Sequence, residues 1–94
     1  MAIKIRDRRG ATVELTDERW THICQAHPEL AGYQKQVLDT IRLGSKSQDP
    51  LDPALWKYSR SWVDLPENFT HLIVVVRQRR TRFIVTAYGV EQDL

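Results

Sequence analysis

The sequence predicts an α+β fold in which an N-terminal β-hairpin, two helices and a three-stranded antiparallel meander follow in the order ββααβββ. Apolar residues alternate with polar ones over residues 2–15, which is the period of half-buried strands. They recur at helical spacing over residues 17–43 and form a dense apolar run over residues 72–76. We expect the helices to pack on one face of the sheet and the other face to be partly open.

Two short strands are predicted before the first helix. Ile3 and Ile5 alternate with basic residues, and Val13 and Leu15 alternate with polar residues after a turn. Gly10 ends that turn and can adopt a positive φ angle without steric cost. The two strands are therefore expected to form a β-hairpin.

The first helix begins and ends at recognisable signals. Thr16 or Asp17 can cap its N-terminus. A proline disfavours the helical conformation for the residue before it, so the helix should end near Pro28. At about 100° per residue, the stripe that faces the core comprises Trp20, Ile23, Cys24 and His27. His22 points to another side of the helix, so we expect it at the surface while Trp20 and Ile23 lie in the core.

The remaining elements follow from the apolar pattern and from breaker residues. A second helix is predicted over residues 33–43 and should end at Gly44, because glycine often terminates helices. Residues 45–53 are rich in Ser, Asp and Pro, which indicates a loop. Three strands are predicted over residues 54–62, 70–77 and 82–90.

The last of these strands has two different faces. Alternation predicts that its core face comprises Phe83, Val85 and Ala87. The opposite face then comprises Arg82, Ile84, Thr86 and Tyr88. Thr86 and Tyr88 would stand on the open face of the sheet or at its rim. The alternatives are that Thr86 is present for its β propensity and Tyr88 as a half-buried aromatic residue.

Composition indicates one soluble domain spanning residues 1–94. Hydrophobic residues make up 41% of the chain and charged residues 28%, which is ordinary for a globular protein. The single cysteine, Cys24, cannot form an internal disulfide, which fits a reducing compartment such as the cytoplasm or a domain that does not need a disulfide. The longest apolar run is far too short to span a membrane, and the N-terminus lacks a signal-peptide core, so no membrane partner is expected.

Basic residues are concentrated in the second half of the chain. Residues 55–83 hold six Lys or Arg and two acidic residues, whereas residues 1–53 hold eight of each kind. This distribution favours a polyanionic partner. One predicted turn could clamp a phosphate backbone or could simply be solvated; its cations are Arg77, Arg79, Arg80 and Arg82.

A strand in the middle of the chain mixes aromatic rings with a cation on one face, which comprises Trp56, Tyr58, Arg60 and Trp62. Such a surface can stack bases and hold phosphates of single-stranded nucleic acid. The alternative is a cross-strand aromatic cluster with Arg60 at its edge. We expect Arg60 on the same side of the sheet as Thr86 and Tyr88. If it is not, the cationic candidate becomes Lys57, which projects opposite to Arg60.

The chain contains no phosphate-binding loop, serine nucleophile elbow, zinc-protease motif or calcium loop. His22 and His27 are five positions apart and do not share a metal-binding face, so we expect neither a metal nor a cofactor. Histidine beside hydroxyl groups and cations suits metal-independent RNA cleavage. A histidine can act as base towards a 2′-hydroxyl or as acid towards the leaving oxygen. His27 is the first choice for this chemistry and His22 the second.

Three segments in this order and spacing resemble a known family. They are Glu18-Arg19-Trp20-Thr21-His22-Ile23 with His27-Pro28-Glu29-Leu30, then Trp56-Lys57-Tyr58-Ser59-Arg60, then Val85-Thr86-Ala87-Tyr88. Over roughly residues 12–90 the chain resembles the phage and toxin nuclease domains of the Barnase–EndoU–Colicin–RelE-like (BECR) fold. The N-terminal pair of strands is not part of the pattern that carries this resemblance.

The resemblance implies a small metal-independent endoribonuclease of toxin or phage-effector type, with RNA as its substrate and a cognate antitoxin or immunity protein as a possible partner. The family's histidine would correspond to His22 or His27, and its basic residue to Arg60 or Lys57. Its last-strand hydroxyl would correspond to Thr86, with Tyr88 beside it. The residues expected to contact RNA are Lys57, Tyr58, Arg77, Arg79, Arg80 and Arg82.

Two other classes of function stay open. One is a non-catalytic module of a phage or toxin–antitoxin system that binds a protein. The other is a nucleic-acid-binding domain that does not cleave. RNA degradation by the pure protein would distinguish the enzyme from both of these classes. Salt-dependent retention of nucleic acid would distinguish the nucleic-acid-binding domain from the protein-binding module.

Overall fold

The computed structural model describes residues 2–92 and contains two α-helices and six strands over that range. The helices are α1 (Asp17–Ala26) and α2 (Gln34–Leu43). The strands are β1 (Ala2–Arg6), β2 (Thr12–Thr16), β3 (Ser45–Gln48), β4 (Leu55–Ser61), β5 (His71–Gln78) and β6 (Arg82–Val90). Short 3₁₀ helices lie at Pro28–Leu30 and Pro66–Asn68. Within residues 2–92, no helix has the length and apolar character required to cross a membrane.

The strands form one mixed sheet in the order β1-β2-β6-β5-β4-β3. The predicted antiparallel meander is β4-β5-β6, and the N-terminal hairpin joins it through a parallel pairing of β2 with β6. The α+β class is therefore confirmed, but the predicted order ββααβββ has five strands and omits one of the six that the structure contains. That strand is β3, in a segment predicted to be a loop. Ser45–Gln48 contains no apolar residue to alternate, and an edge strand needs only backbone pairing with its one neighbour.

The helices and the sheet share one buried cluster. Helix α2 contacts β4 and β5 and also β1, although β1 forms the far edge of the sheet. The sheet therefore curls around α2. The side chains at the centre of this cluster are each at most 1% exposed: Val13, Leu15, Ile23, Leu30, Val37, Ile41, Tyr58, Leu72, Val74, Val76, Ile84 and Ala87.

Strand pairing divides the sheet into a core-facing side and an outer face. Leu72, Val74 and Val76 of β5 are fully buried in the cluster. The alternate residues, Ile73 and Val75, therefore project from the outer face, and so do their partners on the neighbouring strands. We define the outer face by Lys57, Ser59, His71, Ile73, Val75, Thr86 and Tyr88.

A bulge changes which side chains of β6 face the core. The pairing of β5 with β6 skips Val85, which is the extra residue. Ile84 consequently faces the core beside Ala87, and both are at most 1% exposed. Phe83 lies on the outer side. The prediction that Phe83 faces the core, with Arg82 and Ile84 on the opposite face, was wrong, because the extra residue Val85 reverses the alternation between residues 82–84 and residues 86–90.

Helix α1 begins and ends where the sequence predicts. The Oγ1 of Thr16 accepts a hydrogen bond of 3.1 Å from a backbone amide of the first turn, and His27 is the C-cap residue. Ile23 is buried, and Trp20 packs half-buried against the cluster. The side chain of His22 is 57% exposed. The predicted separation of the helix faces is confirmed, although Trp20 is less buried than expected.

Gly44 ends α2 as predicted, but for a steric reason. Its φ of −81° and ψ of 171° are extended, so Gly44 does not adopt the left-handed conformation in which glycine often terminates helices. A Cβ atom at this position would lie 2.4 Å from the Thr40 carbonyl oxygen and 2.6 Å from that of Ser59. Gly44 therefore allows the end of α2 to lie directly against β4.

Candidate functional site on the outer face

The outer face presents polar side chains in cross-strand rows. Along β5 the rows are Ser61–His71–Val90, Ser59–Ile73–Tyr88 and Lys57–Val75–Thr86. Adjacent strands are about 4.8 Å apart, so the two ends of a row are about 10 Å apart. Thr86 and Tyr88 thus share one face, as predicted, and a serine and a lysine of β4 lie within reach across β5.

The charged strand residues on this side of the sheet are mostly basic. Burial of Val13 and Leu15 in the core turns the alternate residues of the N-terminal hairpin outward. The ionisable carboxylates and cations that strand alternation puts on this side are Lys4, Arg6, Lys57, Arg77 and Glu14. Arg77 is within 3.6 Å of Asp52, so its charge is partly balanced. The remaining excess of positive charge suits an anionic ligand.

His27 lies at the edge of the outer face, where α1 ends. Its ring centroid is 6.3 Å from that of Tyr88, and the planes are tilted by 36°. The Oε2 of Glu29 is 3.7 Å from Nδ1 of His27, and the His27 side chain is 33% exposed. Glu29 lies on the Nδ1 side of the ring, so Nε2 is the nitrogen on the side away from this carboxylate.

His71 is a second histidine beside Tyr88 and was not among the predicted site residues. It pairs with Val90, two residues from Tyr88 on the same face, so it is a diagonal neighbour of Tyr88 at about 7–8 Å. Its Nδ1 shares a hydrogen bond of 2.8 Å with Oγ1 of Thr70. Strand alternation could have identified it, because His71, Ile73 and Val75 lie on the same side of the predicted central strand.

Arg60 projects from the core-facing side, so the prediction that it shares a side with Thr86 and Tyr88 was wrong. It pairs with Leu72, which is fully buried. Its guanidinium carbon lies 4.2 Å from the centroid of the Trp62 ring, and Nη1 donates a hydrogen bond of 3.4 Å to the Ser61 carbonyl. Lys57 is therefore the β4 cation on the outer face.

Other expected site residues do not lie beside Thr86 and Tyr88. Tyr58 is 1% exposed on the core-facing side, so its ring is not available to stack on a base. Arg82 pairs with buried Val13 on that side, and its Nε is buried. Arg79 and Arg80 are exposed in the turn between β5 and β6. His22 lies 3.8 Å from Glu18 on the exposed side of α1 and does not join His27.

On the core-facing side, Asp7 joins distant parts of the sheet. The Oδ2 of Asp7 accepts hydrogen bonds of 2.7 Å from the Tyr58 hydroxyl and 3.2 Å from Nζ of Lys46. Its Oδ1 accepts bonds of 2.9 Å from the backbone amides of Arg9 and Ala11. Asp7 follows the edge strand β1, and Lys46 lies in the opposite edge strand β3. We call Asp7, Lys46 and Tyr58 the Asp7 clasp.

The clasp shifts the ionisation of its members. Burial alone would raise the pKa of the Asp7 carboxyl, but the hydrogen bonds from Tyr58, from the backbone and from Lys46 together lower it from 3.8 to about 2. Burial, followed by the hydrogen bond to the Asp7 carboxylate, raises the pKa of the Tyr58 hydroxyl well above its ordinary value. The ammonium of Lys46 also lies 4.6 Å from the Trp56 ring centroid. These interactions hold Asp7 ionised inside the fold.

Comparison of the chain with protein-family models, with curated protein sequences and with solved structures finds no match. Among residues 2–92, no three His, Cys, Asp or Glu side chains are grouped closely enough to hold a metal ion. The site is therefore described by its own residues: His27, His71, Tyr88, Thr86, Lys57 and Ser59.

We expect Asp7→Asn to lower the free energy of unfolding at neutral pH by about 2–4 kcal/mol, because Lys46 loses its anionic partner. The depressed pKa of Asp7 stabilises the wild type above pH 3.8, by about 2 kcal/mol, and this contribution is lost as the pH falls towards 2. Urea unfolding measured across this pH window checks both effects.

Asp64→Asn removes an exposed carboxylate and is the matched control. It should leave the urea midpoint at neutral pH nearly unchanged. An Asp7→Asn protein whose stability follows that of the wild type from neutral pH down to pH 2 would show that the clasp does not stabilise the fold.

Proposed function

We propose that the chain is a small metal-independent endoribonuclease of toxin or phage-effector type that cleaves RNA on its outer face. The observation that carries the proposal is the pair of histidines around Tyr88: His27 across the ring on one side and His71 as its neighbour on β5. Two imidazoles that neighbour the same tyrosine can supply an acid and a base near neutral pH.

In the proposed reaction, Nε2 of His27 takes the proton from the 2′-hydroxyl of the substrate, and the 2′-oxygen attacks the adjacent phosphorus. The bond from phosphorus to the 5′-oxygen breaks, and His71 donates a proton to that leaving oxygen. The products are a 2′,3′-cyclic phosphate and a free 5′-hydroxyl. The step needs no oxidant, reductant or second substrate, and each proton transfer is worth ~10²–10⁴-fold.

Lys57 and the hydroxyl groups supply binding and charge stabilisation in this proposal. Lys57 is in the same row as Thr86, and its flexible side chain can reach over Val75 towards the phosphate. A cation there stabilises the negative charge that develops on the phosphoryl oxygens. The hydroxyls of Thr86 and Tyr88 can donate hydrogen bonds to the same oxygens, and the Tyr88 ring offers a surface for a base.

The charge distribution of the outer face supports RNA binding independently of cleavage. Lys4, Arg6 and Lys57 lie on this side with Glu14 as the acidic strand residue among them. A nucleic-acid-binding domain without catalytic activity is therefore the second candidate. Its signature would be salt-dependent RNA retention with intact RNA recovered. We further propose a cytoplasmic setting, where a cognate inhibitor protein would be needed to protect cellular RNA.

Replacing His27 with alanine should lower RNA cleavage by ~10²–10⁴-fold, because a general acid or base is removed. His22→Ala is the matched control on the same helix and should retain near wild-type activity, since the His22 side chain is 57% exposed and lies 3.8 Å from Glu18. Cleavage of single-stranded RNA by the pure protein, assayed with excess chelator, checks both variants. Equal losses in the two variants, or no cleavage by the wild type once chelator is added, would contradict the proposal.

A second pair of variants tests which side of the sheet carries the catalytic site. Lys57→Gln should reduce kcat by up to ~10²–10³-fold through lost stabilisation of the transition state. Arg60→Gln removes a cation from the same strand on the opposite side and should have a much smaller effect. The comparison is made as kcat and KM on one RNA oligonucleotide. Greater damage from Arg60→Gln than from Lys57→Gln would move the site to the core-facing side.

A further inference from the structure

A cleft lies where the N-terminal hairpin meets the turn between β5 and β6, and the proposed chemistry does not use it. It is lined by Lys4, Thr12, Glu14, Arg80, Thr81 and Arg82. The hairpin residues of this set alternate with core residues such as Ile5 and Val13, so they project on the side of the outer face. The cleft therefore opens on the same side of the sheet as Tyr88.

The cleft is positively charged and offers hydroxyl donors. Among residues 2–92, no ion pair within 4 Å engages Lys4 or Arg80. Glu14 is the cross-strand partner of Lys4 and partly balances its charge, whereas the exposed Arg80 is available to a ligand. Arg82 adds a third positive charge beneath the cleft, and its buried Nε makes no hydrogen bond with the residues described. Glu14 is the one acid in the lining. Cations with neighbouring threonine hydroxyls are the usual contacts of a phosphate group in nucleic acid.

The cleft is separated from the proposed catalytic residues along β6. Phe83 pairs with Glu14 at the cleft, and Tyr88 is five residues further along the same strand. With one of those residues in the bulge, the separation is ~15 Å at about 3.3 Å per residue. Stacked nucleotides advance about 3.4 Å each along one strand, so this span corresponds to roughly four nucleotides.

We propose that the cleft binds a backbone phosphate of the same RNA strand, roughly four nucleotides from the bond that is cleaved. This inference rests on the proposed function, because it takes RNA as the ligand of the outer face. It gives the N-terminal hairpin a role: Lys4 and Thr12 supply one wall of the subsite, and the turn residues Arg80 and Thr81 supply the other. The preferred substrates are then strands longer than a dinucleotide.

The test is RNA binding as a function of salt, with a single-stranded oligonucleotide whose 2′-oxygens are methylated so that it cannot be cleaved by 2′-hydroxyl attack. Lys4→Gln should weaken binding and lower the slope of log Kd against log salt by ~0.7, the value for one phosphate contact on a single strand. Glu14→Gln should tighten binding, because it removes the acid from the cleft. Lys35→Gln, an exposed lysine of α2, has the same charge change as Lys4→Gln and should leave the slope unchanged.

A second measurement compares substrates of different length. In the wild type, kcat/KM for a long RNA should exceed that for a dinucleotide, and Lys4→Gln with Arg80→Gln should reduce this ratio. Equal salt slopes for Lys4→Gln and Lys35→Gln would overturn the subsite, even if RNA is cleaved. A specific loss in Lys4→Gln with no cleavage by any variant would instead support the subsite as a binding site and refute the proposed enzyme.

Discussion

The carboxylate of Asp7 is bonded to both edges of the curled sheet, and the placement of the other elements depends on this contact. Tyr58 and Lys46 are 51 and 39 residues away along the chain, yet both donate to the same oxygen of Asp7. A buried carboxylate is costly without partners, and here two side chains and two backbone amides stabilise its charge. The low pKa of Asp7, about 2, is the direct result. With β1 and β3 held in this way, the sheet closes around α2.

The same contact determines which residues of β4 form the outer face. Tyr58 is turned inward by its hydrogen bond to Asp7, and strand alternation then turns Arg60 inward as well. Lys57 and Ser59 are turned outward and meet the rows that contain Thr86 and Tyr88. The internal clasp and the proposed ribonuclease site are therefore linked through a single strand: the buried side of β4 fixes the orientation of its exposed side.

Local sequence signals predicted the elements well and the faces less well. The Thr16 cap and the proline after α1, and the apolar run of β5, are local features, so those elements appear close to where they were expected. Strand β3 has no apolar alternation and could not be found in that way. Which side chains of β6 face the core depends on the bulge at Val85, because one inserted residue reverses the alternation of the strand. The Asp7 clasp joins residues with no local relation, so no periodic pattern indicates it.

The candidate site was predictable in part. His27, Thr86 and Tyr88 were selected from sequence, and the structure brings the His27 and Tyr88 rings to 6.3 Å. His71 was within reach of the same alternation rule but was overlooked, because it begins a strand that otherwise looked purely structural. The choice of Arg60 over Lys57 could not have been corrected from sequence, since both sides of β4 carry a cation. Resemblance to BECR nucleases stays a hypothesis about family, whereas the side-chain arrangement is specific to this chain.

The most direct test of the central claim is the response of individual histidine rings to bound RNA. Imidazole resonances would be followed by NMR while a single-stranded RNA oligonucleotide whose 2′-oxygens are methylated, so that it cannot undergo 2′-hydroxyl attack, is added to the wild-type protein. We expect the signals of His27 and His71 to shift together and saturate at one RNA concentration, while the signal of His22 remains in place. Shifts confined to His22, or RNA binding that moves neither His27 nor His71, would contradict a ribonuclease site on the outer face.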